Sequence, residues 1–296
     1  MLHHFEGVFP PLTTPFSGDD VIYEKLEENI RKYDLFDLAG YVILGSTGEC
    51  VYLSDDESLK LVKTARKSVG RKKKIIVGTG RESTKMTLDF TNKVADIGVE
   101  AALVRTPSYF KSRMTREALR RHYLTLAEHS RLPIIIYNFP QVTGISIQGD
   151  LVVELAALAN IAGIKDSTGD LVLLKEVVPR VKPPFSFLVG SASVLLSGLE
   201  LGASGGILAL ADAAPESCAR VYRLFSEGKR QEALEIQNDL VPVNTALSQT
   251  FGIPAIKYAM DVRGFYGGPV RLPLLPLDER AKAEVNALLR KLGLLS

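Results

Sequence analysis

The stretch IAGIKDSTGD (residues 161–170) is a run of small and apolar residues that leads directly into Lys165. A polar turn containing glycine follows the lysine, and a helical pattern begins near Asp170. This order is typical of a buried β-strand, the loop after it and the next helix. A buried ammonium group is costly, and loss of its proton removes that cost. A neutral amine at a strand end is a nucleophile towards carbonyl carbon.

The same lysine also has a purely structural interpretation. Its side chain can extend past the strand end into water, or it can pair with Asp166. On these ten residues alone the structural interpretation is favoured, so the choice depends on what the rest of the chain brings to the other strand ends.

Short apolar runs recur along the chain, each followed by an amphipathic segment. The eight predicted strands are 7–9, 41–44, 75–77, 101–104, 134–137, 162–165, 186–189 and 206–209. The helical patterns are 23–36, 54–69, 83–97, 115–131, 149–158, 170–180, 191–201 and 214–227. The strand runs do not alternate with polar residues, which is typical of parallel strands buried on both faces. The pattern predicts an α/β protein with a TIM (β/α)8 barrel.

A doubly wound open sheet is the competing fold. It needs a glycine-rich turn after the first strand, and FPPLTTPF (9–16) offers none. Beyond residue 229 no strand run appears, and the pattern predicts helices near 230–249, 254–264 and 279–293. We therefore expect a barrel over 1–228 and a C-terminal helical extension over 229–296, packed on the barrel's outside or lining an oligomer contact.

The composition restricts the class of partner. The chain has 296 residues, of which 46% are hydrophobic and 24% are charged, with a net charge of +2. Such a balance gives no electrostatic reason for binding nucleic acid or a membrane surface. The amino terminus lacks the pattern of a signal peptide, and no apolar run reaches the roughly 18 residues of a membrane span. We expect a cytoplasmic protein that acts on a small molecule.

Metal and disulfide chemistry have little support in the sequence. Cys50 and Cys218 lie far apart, in no paired spacing. The histidines are His3, His4, His122 and His129, and none has the spacing of a metal ligand. His122 and His129 are interpreted as residues on a helix face. We expect neither a metal nor an organic cofactor.

The ends of the predicted strands are rich in hydroxyl groups and poor in carboxylates. They comprise residues 13–15, 45–49, 78–80, 106–109, 137–138, 165–167 and 190–191. In a TIM barrel the chemistry lies at these ends. The set lacks the paired acids of a glycosidase and the ligand cluster of a hydrolytic metal site. One lysine with tyrosines, hydroxyls and glycine turns suits carbonyl chemistry through an imine.

Two of these ends have a functional and a structural interpretation. Glycines flank Ser46 and Thr47 in GSTGE (45–49), so the loop can turn its N–H groups towards an anion. It can equally be an ordinary turn in which Glu49 caps or pairs. Tyr137 can pass a proton at the barrel mouth or can simply be a packed tyrosine.

Three motifs in order, GSTGE (45–49), YNFPQVTG (137–144) and GIKDSTGD (163–170), resemble the dihydrodipicolinate synthase / N-acetylneuraminate lyase family of class I aldolases. The resemblance spans nearly the whole chain. It implies a TIM barrel with a C-terminal helical extension, in a homotetramer built from tight dimers. It also implies that Lys165 forms a Schiff base with pyruvate and that Tyr137 relays protons.

The same resemblance implies roles for further residues. Thr47, or Ser46 beside it, would bind the pyruvate carboxylate and join the proton relay. Tyr109 would reach the site of a neighbouring subunit across the tight dimer. Gly190 and Ile207 would line the pyruvate pocket.

The second substrate is the open question. Synthases of this family carry an arginine where this chain has Val142, and valine cannot hold a carboxylate. The segments 26–33, 80–84, 165–170 and 251–274 look closest to the 4-hydroxy-2-oxoglutarate aldolases. Ser167 matches a serine that those enzymes use near the glyoxylate end, whereas Thr47 replaces the asparagine of the animal enzymes.

We therefore expect reversible cleavage of 4-hydroxy-2-oxoglutarate to pyruvate and glyoxylate. The alternatives are dihydrodipicolinate synthesis from pyruvate and aspartate semialdehyde, or another sugar-acid or 2-oxo acid aldolase of the family. A hydratase or decarboxylase that works through an imine, and a binding protein without activity, also stay open.

Overall fold

The computed structural model describes residues 4–295, and a barrel of eight parallel strands forms its centre. His3 lies outside the described residues. The strands are β1 (Gly7–Phe9), β2 (Gly40–Ile43), β3 (Lys74–Gly78), β4 (Ala101–Arg105), β5 (Ile134–Asn138), β6 (Ile161–Asp166), β7 (Ser186–Val189) and β8 (Gly205–Ile207). All eight predicted strands are present, within two residues at each end.

The order of the strands gives a barrel rather than an open sheet. Each strand from β2 to β7 pairs with the next along the chain, and β8 pairs with β1. The gap between β1 and β2 is bridged by Pro11 and Val42, with Leu12 N donating to Val42 O at 2.9 Å and Val42 N to Pro10 O at 3.0 Å. The predicted TIM barrel is therefore confirmed, and the doubly wound alternative is wrong.

Helices surround the strands in the order that the sequence predicts. They are α1 (Tyr23–Tyr33), α2 (Asp55–Ser68), α3 (Thr84–Ala95), α4 (Arg116–His129), α5 (Pro140–Thr143), α6 (Gly149–Ala156), α7 (Val172–Val177), α8 (Leu195–Glu200), α9 (Pro215–Ser226), α10 (Arg230–Asn244), α11 (Ile253–Val262) and α12 (Glu279–Lys291). Helix α2 begins with a reciprocal capping box formed by Ser54 and Glu57.

Some elements differ from the prediction. The predicted strand 206–209 ends at Ile207, because Ala209–Asp212 form a 3-10 turn. The predicted helix 230–249 is α-helical only to Asn244 and continues as a π-helix over Thr245–Thr250. Pro242 lies within its last turn and has no N–H for the α-helical ladder. The hairpin of Phe16–Ser17 with Asp20–Val21, and the short α5, were not predicted.

Two apolar layers explain why the strand runs do not alternate with polar residues. One set of side chains fills the barrel interior, with Phe9, Val42, Ile76, Leu103, Ile135, Leu188 and Ile207 among its members. The neighbouring positions face outward and pack against the ring of helices. Both faces of each strand are therefore dry, as parallel barrel strands require.

The C-terminal extension packs against the outside of the barrel and one of its loops. On α10, the Gln237 amide donates to Ala192 O at 2.8 Å and accepts from Leu196 N at 3.1 Å. Asn244 Nδ2 donates to Ser191 Oγ at 3.1 Å and to Ser193 Oγ at 2.8 Å. The division into domains at residues 228 and 229 stays a prediction. Among residues 4–295, no helix has the length and apolar character to cross a membrane.

His122 generates a prediction about pH and stability. It is 5% exposed on α4, Nδ1 lies 2.9 Å from Thr84 Oγ1, and burial lowers its pKa from 6.5 to about 4. Below pH 6.5 the His122 imidazole is protonated in the unfolded chain but not in the folded chain. The free energy of unfolding therefore falls as the pH drops towards 4. Between pH 7 and pH 4.5 we expect about 2 kcal/mol of the acid-induced loss of stability to be absent in His122→Gln. Urea unfolding at pH 7 and pH 4.5 measures this.

The matched control is His129→Gln, on the same helix but with a side chain that is 61% exposed. It should retain the pH dependence of the natural chain. An unchanged pH dependence in His122→Gln would contradict the assignment.

Candidate active site at the carboxyl ends of the strands

Lys165 and Tyr137 are directly opposed on adjacent strands. They are register partners at the carboxyl ends of β6 and β5. Lys165 is 4% exposed, and its Nζ lies 4.3 Å from the centroid of the Tyr137 ring. Tyr137 belongs to the interior apolar cluster and stacks on Phe139 at a centroid distance of 5.6 Å. The barrel mouth therefore holds an amine beside a phenol.

The side chain of Lys165 neither extends into water nor pairs with Asp166. Within residues 4–295, no carboxylate forms an ion pair with Lys165, and its burial excludes an extension into water. Asp166 is occupied elsewhere: it accepts from Asn138 Nδ2 at 2.8 Å and from Thr168 Oγ1 at 2.6 Å. Burial raises the pKa of Asp166 despite these bonds. The amine is thus left free for another partner.

The 45–49 loop brings its hydroxyls to the phenol. Ser46 Oγ lies 3.4 Å from Tyr137 Oη, whereas the buried Thr47 hydroxyl has no hydrogen bond to any described residue. Thr14 Oγ1 donates to Gly48 O at 2.6 Å, and a Cβ on Gly48 would lie only 2.9 Å from Leu12 O. The loop is therefore fixed close to the 12–14 segment, and Ser46 is the residue in contact with Tyr137.

Ser167 and Gly190 lie against each other at the ends of β6 and β7. Gly190 N donates to Asp166 O at 2.6 Å, and a Cβ at Gly190 would lie 1.9 Å from Ser167 Oγ. Ile207, at the end of β8, is fully buried in the interior cluster. These positions suit the pocket-lining role that the family resemblance implies for them.

Tyr109 is not brought to the site within one chain. It lies in the loop after β4, is 79% exposed and packs edge-on against Phe110 at 5.0 Å between centroids. Glu82 fixes this loop by accepting from the N–H groups of Ser108 and Tyr109, each at 2.8 Å.

Two residues with possible functional roles, Arg105 and Asp212, were not predicted from the sequence. Arg105 is the register partner of Tyr137 on the side away from Lys165, and its Nη1 lies 2.8 Å from Glu82 Oε1. The alternation of β4, with Leu103 inside, could have indicated it. Asp212 is fully buried, and its carboxyl oxygens have no hydrogen-bond partner among the described residues. Burial raises its pKa well above the usual range, and no sequence signal marks its position.

A cavity of about 20 Å³ lies beside Ser46, Arg105 and Tyr137. A larger cavity of about 370 Å³ lies at the opposite end of the barrel, beside Ala162 and Phe185. It touches neither the lysine nor the phenol, so we place the candidate site by its reactive groups and not by cavity size.

A (β/α)8 barrel with a buried lysine and a tyrosine at neighbouring strand ends belongs to the enzymes that work at the carboxyl face of the barrel. Comparison with known proteins gives the family. The model of the dihydrodipicolinate synthetase family matches residues 4–292. The chain belongs to this family, whose members are class I lyases or aldolases.

Individual relatives agree over nearly the full length. The chain is 36% identical to a 4-hydroxy-tetrahydrodipicolinate synthase of Ligilactobacillus salivarius, covering 96% of this chain and 97% of that one. It is 32% identical to a synthase of the same name from Methanothrix thermoacetophila, covering 98% and 97%. The crystal structure of dihydrodipicolinate synthase from Aquifex aeolicus superposes with a TM-score of 0.91 at 30% identity, covering 98% and 99%.

The contact between Gly190 and Ser167 gives a prediction. A methyl group at position 190 would also meet the Ser167 Cα at 2.8 Å, so backbone must move. We expect Gly190→Ala to lower the free energy of unfolding by about 1–3 kcal/mol, as for other overpacked sites, in urea titrations. Gly70→Ala is the control, since a Cβ there meets no described atom within 4 Å. A Gly190→Ala protein as stable as the control would show that the loops adapt.

Proposed function

We propose that this chain is a pyruvate-dependent class I aldolase that works through a Schiff base on Lys165. The observation that carries the proposal is the amine itself. It is buried, has no carboxylate partner among residues 4–295, and lies 4.3 Å from the ring of Tyr137. A buried amine beside a phenol is placed for nucleophilic attack on a carbonyl carbon.

The proposed reaction has two stages. Lys165 Nζ attacks the C2 carbonyl of pyruvate, and Tyr137 gives its proton to the departing hydroxyl, which leaves as water and forms an iminium ion. The Tyr137 phenolate takes a methyl proton to give the enamine, whose C3 attacks the aldehyde carbon of the second substrate. Tyr137 returns that proton to the aldehyde oxygen as the new bond forms. Water then adds to the product iminium, gives a proton back to Tyr137 and releases the product and the neutral lysine. The reverse sequence is a retro-aldol cleavage.

The 45–49 loop is proposed to hold the pyruvate carboxylate. N–H groups in a glycine-flanked turn, with the hydroxyls of Ser46 and Thr47, supply donors to an anion. A fixed carboxylate would keep C2 in attack geometry over the amine. The 3.4 Å contact of Ser46 with Tyr137 favours Ser46 over Thr47 as the relay residue. Gly190, Ile207 and Ser167 are proposed to line the pocket.

The aldehyde partner has two candidates. The relatives at 36% and 32% identity are named 4-hydroxy-tetrahydrodipicolinate synthase, which favours condensation with aspartate semialdehyde. This reverses the order of the sequence-based expectation, in which 4-hydroxy-2-oxoglutarate cleavage came first.

Glyoxylate is kept as the second candidate because of position 142. Val142 is 60% exposed on α5, directly after the strand of Tyr137. A valine offers no charge to the carboxylate of aspartate semialdehyde, whereas glyoxylate is small enough to be held by hydroxyls such as that of Ser167.

The exposed Tyr109 is proposed to complete the site of a neighbouring copy in a tight dimer, within a homotetramer. Its 79% exposure and the adjacent Phe110, 67% exposed, leave an aromatic pair available at the surface. The oligomeric state and a cytoplasmic location stay predictions.

Trapping tests the chemistry. Borohydride with pyruvate should add the mass of a reduced adduct to Lys165, and Lys165→Ala should take up none. Tyr137→Phe keeps the amine but loses the proton donor, so it should still form the adduct and turn over at least about a hundredfold more slowly. Mass spectrometry of the intact protein and of its peptides measures the adduct. The absence of any adduct in the natural chain would sink the proposal.

The choice of aldehyde is tested with aspartate semialdehyde plus pyruvate, and with 4-hydroxy-2-oxoglutarate, side by side. We expect turnover of the semialdehyde, and Val142→Arg should lower its KM by about tenfold, since a guanidinium binds a carboxylate in a bidentate manner. Val241→Arg, on α10 of the extension, is the control and should have no effect. Turnover confined to 4-hydroxy-2-oxoglutarate would favour the glyoxylate candidate.

A further inference from the structure

A fully buried ion pair joins the 45–49 loop to the C-terminal extension. Glu49 is the last residue of GSTGE, and Lys257 lies in the middle of α11. Lys257 Nζ is 2.6 Å from Glu49 Oε1, and the two side chains are 1% and 0% exposed. The contact crosses more than 200 residues of sequence, so it is a purely tertiary connection.

Each member of the ion pair makes further contacts. Lys257 Nζ donates to Pro269 O at 2.7 Å and lies 4.5 Å from the ring centroid of Phe16. Glu49 Oε2 accepts from the backbone N–H of Arg271 at 2.9 Å. Burial lowers the pKa of Lys257, and the nearby Glu49 carboxylate opposes that effect.

Arg271 continues the connection to the next helix. Its guanidinium binds Glu57, in the first turn of α2, at 2.7 and 3.1 Å, and donates to Tyr52 O at 2.7 Å. It also stacks near Phe16, 4.4 Å from the ring centroid. The segment 267–271 therefore contacts Glu49 of the 45–49 loop and the start of α2.

The ion pair needs an explanation other than stability. Two apolar side chains of similar volume are often as stabilising as a buried ion pair, because charges lose their hydration on burial. Glu49 is also one of two non-glycine residues with a left-handed φ, at 55° in the described chain, which is an unfavourable conformation for glutamate. A charge and a backbone conformation that both oppose folding occur two residues after Thr47.

We propose that Glu49 and Lys257 are positioning residues, which hold the donors of the 45–48 turn in the geometry that binds the pyruvate carboxylate. The C-terminal extension is then part of the substrate site and not only a cover for the barrel. This inference rests on the proposed function. It adds that binding of the 2-oxo acid, rather than the imine chemistry, depends on α11.

The test removes both charges at once. Lys257→Met alone leaves the Glu49 carboxylate buried without a partner, so its melting temperature should fall. The double variant Glu49→Gln/Lys257→Met has no unpaired charge and should recover much of that temperature. Its turn is no longer fixed, so we expect its KM for pyruvate to be raised by at least about tenfold with kcat within about threefold.

The matched control is Arg263→Met. Arg263 follows α11 directly and pairs with Glu216 of α9 at 2.5 Å, so it also ties the extension to the barrel but does not touch the 45–49 loop. It should lower the melting temperature and leave the KM for pyruvate unchanged. A double variant with the natural KM, or an Arg263→Met protein with an equally raised KM, would overturn the positioning role.

A measurement on the natural chain covers the case in which the variants do not fold. Hydrogen exchange with and without pyruvate should show slower exchange in the 45–49 loop and also at 267–271, where Arg271 N–H is bound to Glu49. Protection confined to 45–49 would overturn the inference. Failure of the proposed function is separate, since it would appear as the absence of a borohydride adduct on Lys165.

Discussion

The pairing of β5 with β6 is the constraint on which the candidate site depends. The register shifts between Ile134 and Ile135, so that Ile134 faces Ile161 while Ile135 faces Gly163. Ala162 is the extra residue. A shift of one residue exchanges the two faces of a strand. Without it the apolar Ile164 would lie opposite Tyr137, and Lys165 would point at the helices. The irregularity turns the amine into the barrel.

Because the barrel is closed, this register places Lys165 in an apolar interior. An interior packed with apolar side chains keeps water away from Lys165, and the carboxylate next to it in sequence is used by Asn138 and Thr168. The Lys165 Nζ lies 4.3 Å from the centroid of the Tyr137 ring. A buried amine beside a phenol is positioned for attack on a carbonyl carbon. Reactivity is in this way a property of the whole barrel and not of one residue.

The C-terminal extension forms polar contacts with loops at the mouth of the barrel. Two loops that follow strands, 45–49 and 190–193, are bound from outside by polar side chains of the last helices. Lys257 holds the first, and Asn244 holds the second. Donors aimed at an anion are effective only when they are fixed in advance, because reorganisation would consume the interaction energy. The same contacts that attach the extension to the barrel therefore also bear on the geometry of the candidate site.

Much of the fold followed from local patterns. Recurring apolar runs, with amphipathic segments between them, predicted every barrel strand, because these signals depend on neighbours in sequence. The elements that were missed have other causes. The α-helical ladder of α10 lacks the N–H of Pro242 and continues as a π-helix, and the run predicted as the last strand ends in the 3-10 turn Ala209–Asp212.

The sequence by itself determined the strand-end lysine, the tyrosine and the glycine-flanked hydroxyls, since each motif is contiguous. Only the tertiary structure decided that Ser46 rather than Thr47 contacts the phenol, that Arg105 flanks Tyr137, and that Glu49 pairs with Lys257. These three contacts depend on the register of the strands, on the left-handed turn at Glu49 and on the packing of α11 from the C-terminal end of the chain. Distances across the barrel are set by closure and packing, which no local pattern encodes.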